Sequence, residues 1–516
     1  MAPIDRDEKT RLMRDGTIHA VGLVLSSVAG LILVPLMVHG LGMEGYGLWA
    51  SAMAAVGIFG SLDLGLRLII VRDLAGDPNS THAPAVRMML WVHFAIGLVA
   101  ALLISLGGLI LPGKFHLSPG SARVVPLVFA IAGISCFFDQ LFAYVISVMA
   151  GLRRFDLLNA SSVAISLLRL GLFAGALALG KGILALVSMQ AFLSVLSGIA
   201  GLLFVSLAAP KLRPRWESLR WQVLREPLGF GALSQAATSI STLQLPISTL
   251  LISLVNGASA VTPFIVGQKF PGLVSGLTWR TSEVFFPVAS RQRHRAELQG
   301  EAFLIAISRW LMLVITPCAL GLFILAPVLL RTWMGDVNPV ALAVLRIASV
   351  SVIVEIFIPG AIQLFWGAGE TGPALCVNLV TALVDVGLAL LLLPRVGSTG
   401  AAWATFGATL FATTFLFTLA ARKRNVRAGT VLFESSRRLL PALLVALFPA
   451  YLLVRRIAAG NWPIVLAIVA LSAMLYLSML LLYAASAEEK EFLRNIFRVR
   501  KSQTTSSLTK GTAGGN

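Results

Sequence analysis

Apolar runs of about 20 residues follow one another along almost the whole chain, each long enough to cross a hydrocarbon core as an α-helix. Fourteen can be read: 17–38, 48–71, 88–111, 123–150, 160–180, 183–209, 227–253, 263–289, 303–326, 340–366, 373–393, 401–421, 439–454 and 464–485. Within lipid, a helix satisfies its own backbone polar groups, so the pattern predicts an all-α polytopic membrane protein. The two longest polar connections, 210–226 and 422–438, follow the sixth and twelfth runs. They divide the chain into an N-terminal segment (1–16), a six-helix lobe (17–209), a linker (210–226), a second six-helix lobe (227–421), a loop (422–438), two additional helices (439–485) and a basic tail (486–516). The end of that tail, SQTTSSLTKGTAGGN, reads as disordered.

Polar positions inside the apolar runs repeat. Asp139 and Glu355 stand 216 residues apart, as do Arg169 with Asp385, Gly151 with Gly367 and Gly171 with Gly387. The first run of each lobe carries an internal proline, Pro35 and Pro246, suited to bending a helix. The second run of each carries a charge pair on one helix face: Asp63 with Arg67, and Arg280 with Glu283. Each lobe has an even number of runs, so the two share an orientation. The expected relation is a parallel pseudo-two-fold repeat about an axis along the membrane normal, facing one polar cavity.

Composition agrees with the membrane class and removes others. The chain is 57% hydrophobic and only 12% charged, about half the charged fraction of a soluble domain. Its net charge of +18 is of the kind that binds nucleic acid, but the positive charges follow the topology. With the N-terminus inside, cytoplasmic segments hold 28 Lys and Arg and the opposite loops 6, which predicts both termini in the cytoplasm. The charged N-terminus runs into a full-length span with no evident cleavage site and is expected to be retained. No loop on the opposite side can hold a domain.

Motifs for catalysis are missing. G-x-G-x-x-G at Gly40–Gly45 is a turn between two spans, without the strand that a dinucleotide site needs, and G-x-x-x-x-G-K at Gly175–Lys181 is followed by Gly182 where Ser or Thr is required. The six histidines are scattered, and Cys136, Cys318 and Cys376 lie in apolar runs as packing residues. The chemistry therefore rests on intramembrane charge, which is expensive and normally faces a protein interior or watery cavity. Arg309 and Arg346 lie near span ends and can snorkel. Arg67, Arg169, Lys269 and Arg280 would suit phosphate, since guanidinium forks match its oxygens and ammonium adds point charge. Asp63, Asp139, Glu283, Glu355 and Asp385 would orient these cations, pair with them structurally, or carry a coupling proton or Na⁺. The residues alone leave those roles open.

The segment GYGLWASAMAAVGIFGSLDLGLRLIIVRDLA (Gly45–Ala75) resembles the second-helix region of bacterial oligosaccharide flippases of the polysaccharide-transporter family. GLRRFDLLN after the fourth run resembles that family's cytoplasmic loop. The resemblance covers most of 17–421. It implies two lobes in a V around a cavity open alternately to either side. The implied substrate is a polyprenyl-pyrophosphate-linked oligosaccharide, moved from the inner to the outer leaflet of the bacterial cytoplasmic membrane for O-antigen or exopolysaccharide synthesis. Membrane lipids, and the pathway's glycan polymerase and glycosyltransferases, are the expected partners; no enzymatic activity, metal or cofactor beyond a coupling ion is expected. The first run lacks the acidic residue frequent in drug exporters of the same superfamily and the arginines of some lipid-linked precursor flippases. A cation-coupled drug exporter is the main alternative. A membrane glycan polymerase is less suited, because the loops are too short to hold sugar.

Overall fold

Gly42 leaves helical geometry (φ 73, ψ 175) and divides the first helical stretch, α1 (Arg6–Gly60), into two arms. In this computed structural model the described residues are 6–61, 65–76, 83–215, 230–283, 285, 300–437, 439–456 and 461–480. The first six-run region continues with α2 (Leu66–Gly76), α3 (Ala83–Ile110), α4 (Pro119–Gly151), α5 (Phe155–Ala178) and α6 (Ile183–Ala208). The second contains α7 (Phe230–Asn256), α8 (Val261–Glu283), α9 (Gly300–Met334), α10 (Pro339–Glu355), α11 (Phe357–Gly367), α12 (Gly372–Val396) and α13 (Thr399–Arg424). The short α14 (Ala428–Ser436), α15 (Leu439–Arg456) and α16 (Trp462–Met479) complete the described chain. The expected linker beyond residue 215 and the tail beyond 480 lie outside it.

Counting α10 and α11 together as one span (Pro339–Gly367), eleven spans among the described residues are long and apolar enough to cross a bilayer, or twelve if α14 and α15, bent by 57°, form one more. The expected fourteen differ for identifiable reasons. Two expected runs share α1, counted once; α8 is made less apolar by Lys269, Arg280 and Glu283; and α15 qualifies only together with α14. The run expected over 48–71 is not one helix. α1 ends at Gly60, and Gly65, at φ 78, precedes α2. Asp63, expected to pair with Arg67, lies outside the described residues. The run expected over 263–289 is described as helix only to Glu283, which puts Arg280 in the last turn of α8.

Several turns between helices share an unusual backbone. Gly42 (φ 73) precedes the second arm of α1 and Gly257 (φ 90) precedes α8. Arg153 (φ 57) follows α4 and Gly369 (φ 82) follows α11, while Gly180 (φ 66) and Gly397 (φ 67) close α5 and α12. Positive φ is strained for most L-residues, which accounts for glycine at five of these six positions.

The packed cores divide by end. Near Gly42 and Gly257 the two lobes share them: Leu33, Val34, Met37 and Phe173 pack with Val266, Leu330, Trp333 and Leu345. Leu48 and Ala52 likewise join Ala258. Backbone groups meet here too, with Ala258 N–H donating to the Phe115 carbonyl at 3.0 Å and the Thr262 hydroxyl to the Met43 carbonyl at 2.6 Å. A β-carbon on Gly47 would overlap the Ala258 carbonyl, so only glycine permits this approach. Toward the other end, Ile70, Leu74, Met89 and Val148 form a cluster within the N-terminal lobe, and Phe303, Ile307, Ile358 and Leu416 one within the C-terminal lobe. The appended α15 and α16 pack on α9 through Leu313, Leu443, Leu447 and Tyr476.

Candidate functional site

The predicted polar residues fall into three groups rather than one ring. In the N-terminal lobe, Asp139 on α4 has Ser194 of α6 as a hydrogen-bonding neighbour and Arg169 of α5 as the cation acting on it. One turn before Arg169, the Ser166 hydroxyl donates to Ser26 of α1 at 3.2 Å. The Arg169 Nε is buried and has no hydrogen-bond partner. An acid, a base and hydroxyls from four helices thus meet inside one lobe.

In the C-terminal lobe the carboxylates are held by neutral donors. Glu355 ends α10, where the helix breaks before α11, and accepts from the Trp279 indole at 2.6 Å and the Ser275 hydroxyl at 2.8 Å. Ser275 and Trp279 are spaced i,i+4 on α8, so one helix face delivers both donors. Asp385 on α12 is almost fully buried and accepts from Thr405 of α13 at 3.2 Å. One turn earlier on α12, the Thr381 hydroxyl is buried without a partner.

Lys269 is placed differently. Its ammonium reaches from α8 to the N-terminal lobe, 3.8 Å from where a β-carbon on Gly30 would stand. Among the described residues no carboxylate pairs with it. Below Lys269 on the same face, Gly272 and Gly276 have open space beside them, and Arg280 and Glu283 are exposed. Arg280 and Glu283 form no ion pair with each other, and Arg67 is exposed on α2. Pro35 and Pro246 lie inside α1 and α7 as expected. Among the described residues no group of three or more His, Cys, Asp or Glu could hold a metal ion.

Ser275, Trp279, Ser194, Thr405 and Gly30 did not stand out in the sequence. The available signal was indirect: an intramembrane carboxylate requires donors, and Ser or Trp one helical turn apart on a neighbouring span can supply them.

Long apolar helices that carry buried charged and hydroxyl side chains define an all-α polytopic membrane protein. The fold matches the lipid II flippase MurJ in an inward closed conformation, with a TM-score of 0.69 and 14% identity over 90% of this chain and 98% of that one. It also matches the inward-facing conformation of a multidrug resistance MATE family transporter of the MOP superfamily, with a TM-score of 0.62 and 14% identity over 78% and 98%. For the outward-facing conformation of a MATE family transporter of that superfamily the TM-score is 0.51, with 17% identity over 80% and 94%. No curated protein sequence matches the chain. The polysaccharide biosynthesis protein family matches residues 12–293, more than half of the chain, and the chain belongs to that family.

Proposed function

We propose that this protein is a flippase that moves a polyprenyl-pyrophosphate-linked oligosaccharide from the cytoplasmic to the outer leaflet of the bacterial inner membrane by alternating access. The observation that carries the reading is Lys269, a cation at the joint between the lobes that faces no carboxylate among the described residues. Such a charge is tolerated in a membrane when it meets water or an anionic ligand. A pyrophosphate supplies that anion, and the smooth Gly272–Gly276 face leads from Lys269 toward Arg280. Arg67 and Arg280, both exposed, fit a first encounter with the headgroup, and Arg169 with Asp139 fits an internal pair tuned by substrate.

Several features support the finer reading. The recurring positive-φ turns fit a parallel two-fold repeat, and the fourteen spans follow if each arm of α1, α8 and α15 all cross. The uneven Lys and Arg distribution favours both termini in the cytoplasm, so the joined end faces outward. The higher similarity to inward-facing than to outward-facing relatives fits the same assignment. Asp385, with Thr405 and Thr381 beside it and no cation paired with it among the described residues, is the carboxylate best suited to a coupling proton or Na⁺. A drug exporter shares the fold, but organic cations would be repelled by Lys269.

A deletion strain should accumulate lipid-linked oligosaccharide on the cytoplasmic leaflet. Lys269→Met should restore protein to the membrane but transport at least about tenfold less, the weight of one charge-assisted contact. Full transport by that variant would remove Lys269 from the mechanism.

A further inference from the structure

Two hydrogen bonds between helix groups end on carbonyls that a proline leaves without their helical donor. In an α-helix the carbonyl of residue i−4 accepts from the N–H of residue i, and proline has no N–H. Pro35 frees the Leu31 carbonyl of α1, and the indole Nε1 of Trp333, near the end of α9, donates to it at 3.0 Å. Pro317 frees the Leu313 carbonyl of α9, and the Tyr476 hydroxyl of α16 donates to it at 2.7 Å. Each bond crosses a boundary. Leu31 belongs to the N-terminal lobe, Trp333 to the C-terminal lobe and Tyr476 to the appended pair.

The surroundings make these donors hard to replace. Beside Leu31 and Pro35 lies a crevice of about 380 Å³, also lined by Trp333, by Trp462 at the start of α16, and by apolar Ile32 and Phe270. The apolar lining offers that carbonyl no second donor, so losing the indole is unfavourable. Packing alone does not explain Tyr476, which differs from Phe only by the donating hydroxyl, while Trp333 combines core volume with an indole donor.

We infer that Trp333 and Tyr476 are positioning residues of the transport cycle, each supplying the hydrogen bond that a proline withholds. Trp333 completes α1 only while the lobes are closed at this end. When they separate, the Leu31 carbonyl loses its donor and is satisfied by water entering the opening. Tyr476 holds the proline bend of α9, the helix that carries Trp333. The appended helices therefore act on the joint between the lobes, through α9, and are not a separate module.

The inference rests on alternating access, and a double-mutant cycle tests both. The full chain in lipid nanodiscs, with Cys136, Cys318 and Cys376 replaced by alanine, carries spin labels at Leu179→Cys and Val396→Cys, exposed positions closing α5 and α12. Distance distributions then report the ratio of closed to open molecules. Trp333→Phe should lower that ratio about tenfold, the weight of one hydrogen bond. In a Pro35→Ala background residue 35 itself donates to Leu31, and the same Phe should change the ratio less than about twofold. Tyr476→Phe should behave likewise with and without Pro317→Ala. Equal effects in both backgrounds would overturn the inference. If Pro35→Ala fails to fold, benzothienylalanine at position 333 keeps the ring shape and removes only the donor; it should reproduce the Phe shift, and an unchanged ratio overturns the inference. A single distance that no variant moves would remove alternating access as well.

Discussion

Glu370 accepts from Lys423 Nζ at 2.9 Å and from Arg424 Nη2 at 2.5 Å, joining the turn before α12 to the end of α13. The hydrogen bond from Lys423, with the charge of Arg424 beside it, holds the Glu370 carboxyl below its ordinary value. A lowered folded-state value means that the pair stabilises above the unfolded carboxylate range and loses its contribution as pH falls through the folded value. Partly exposed pairs contribute only about 0.5–1 kcal/mol. Glu370→Gln should therefore lower thermal stability slightly at pH about 7, and the difference from wild type should shrink as pH falls below the ordinary carboxylate range. Glu355 follows another rule, because its partners are neutral and enclosed. Trp279→Phe should cost about 1–3 kcal/mol by leaving part of the carboxylate unsatisfied, and adding Glu355→Met should recover much of it. Calorimetry that found the two changes additive would separate Trp279 from Glu355. At this scale the sequence marked Asp139, Glu355 and Asp385 as costly, since each interrupts an apolar run. It could not name their partners, because Ser275, Trp279 and Thr405 meet them only through tertiary packing.

Helices were legible where apolar length alone decides them and obscure where backbone conformation intervenes. α3 through α6 fall close to the expected runs, and α12 and α13 do the same in the second lobe. The second run failed at Gly65, whose positive φ leaves no mark on hydropathy. Gly47 is the converse case, a residue inside an apolar run whose importance lies in having no side chain. Gly47→Ala drives a methyl into the Ala258 carbonyl, which belongs to the other lobe's turn. Overpacking of this kind typically costs about 1–3 kcal/mol. Because the strain is released when the lobes part, Gly47→Ala should favour the open state, read as a longer label distance across the joint. No change in that distance would mean that the turn simply yields.

For the molecule as a whole, an all-α polytopic membrane protein could be read from the succession of apolar runs. The conformational state could not, because it depends on which apolar surfaces happen to be in contact. Shared cores around Trp333 and Ala258, against separate cores around Ile70 and Ile307, show the lobes joined at one end. The orientation proposed for that end has a direct check. In intact spheroplasts a membrane-impermeant thiol reagent should label Lys114→Cys, and should reach Arg422→Cys only after lysis; the reverse order would invert the topology. The joined end also has a kinetic consequence. Its lobes touch through short hydrogen bonds to main-chain carbonyls, from the Ala258 N–H to Phe115 and from the Thr262 hydroxyl to Met43, around a glycine that leaves no slack. Short contacts of this sort cannot stretch by ångströms and persist. They let go together, so the closure should behave as a snap fastener, with few molecules caught half undone and a dwell time set by the whole set of contacts at once.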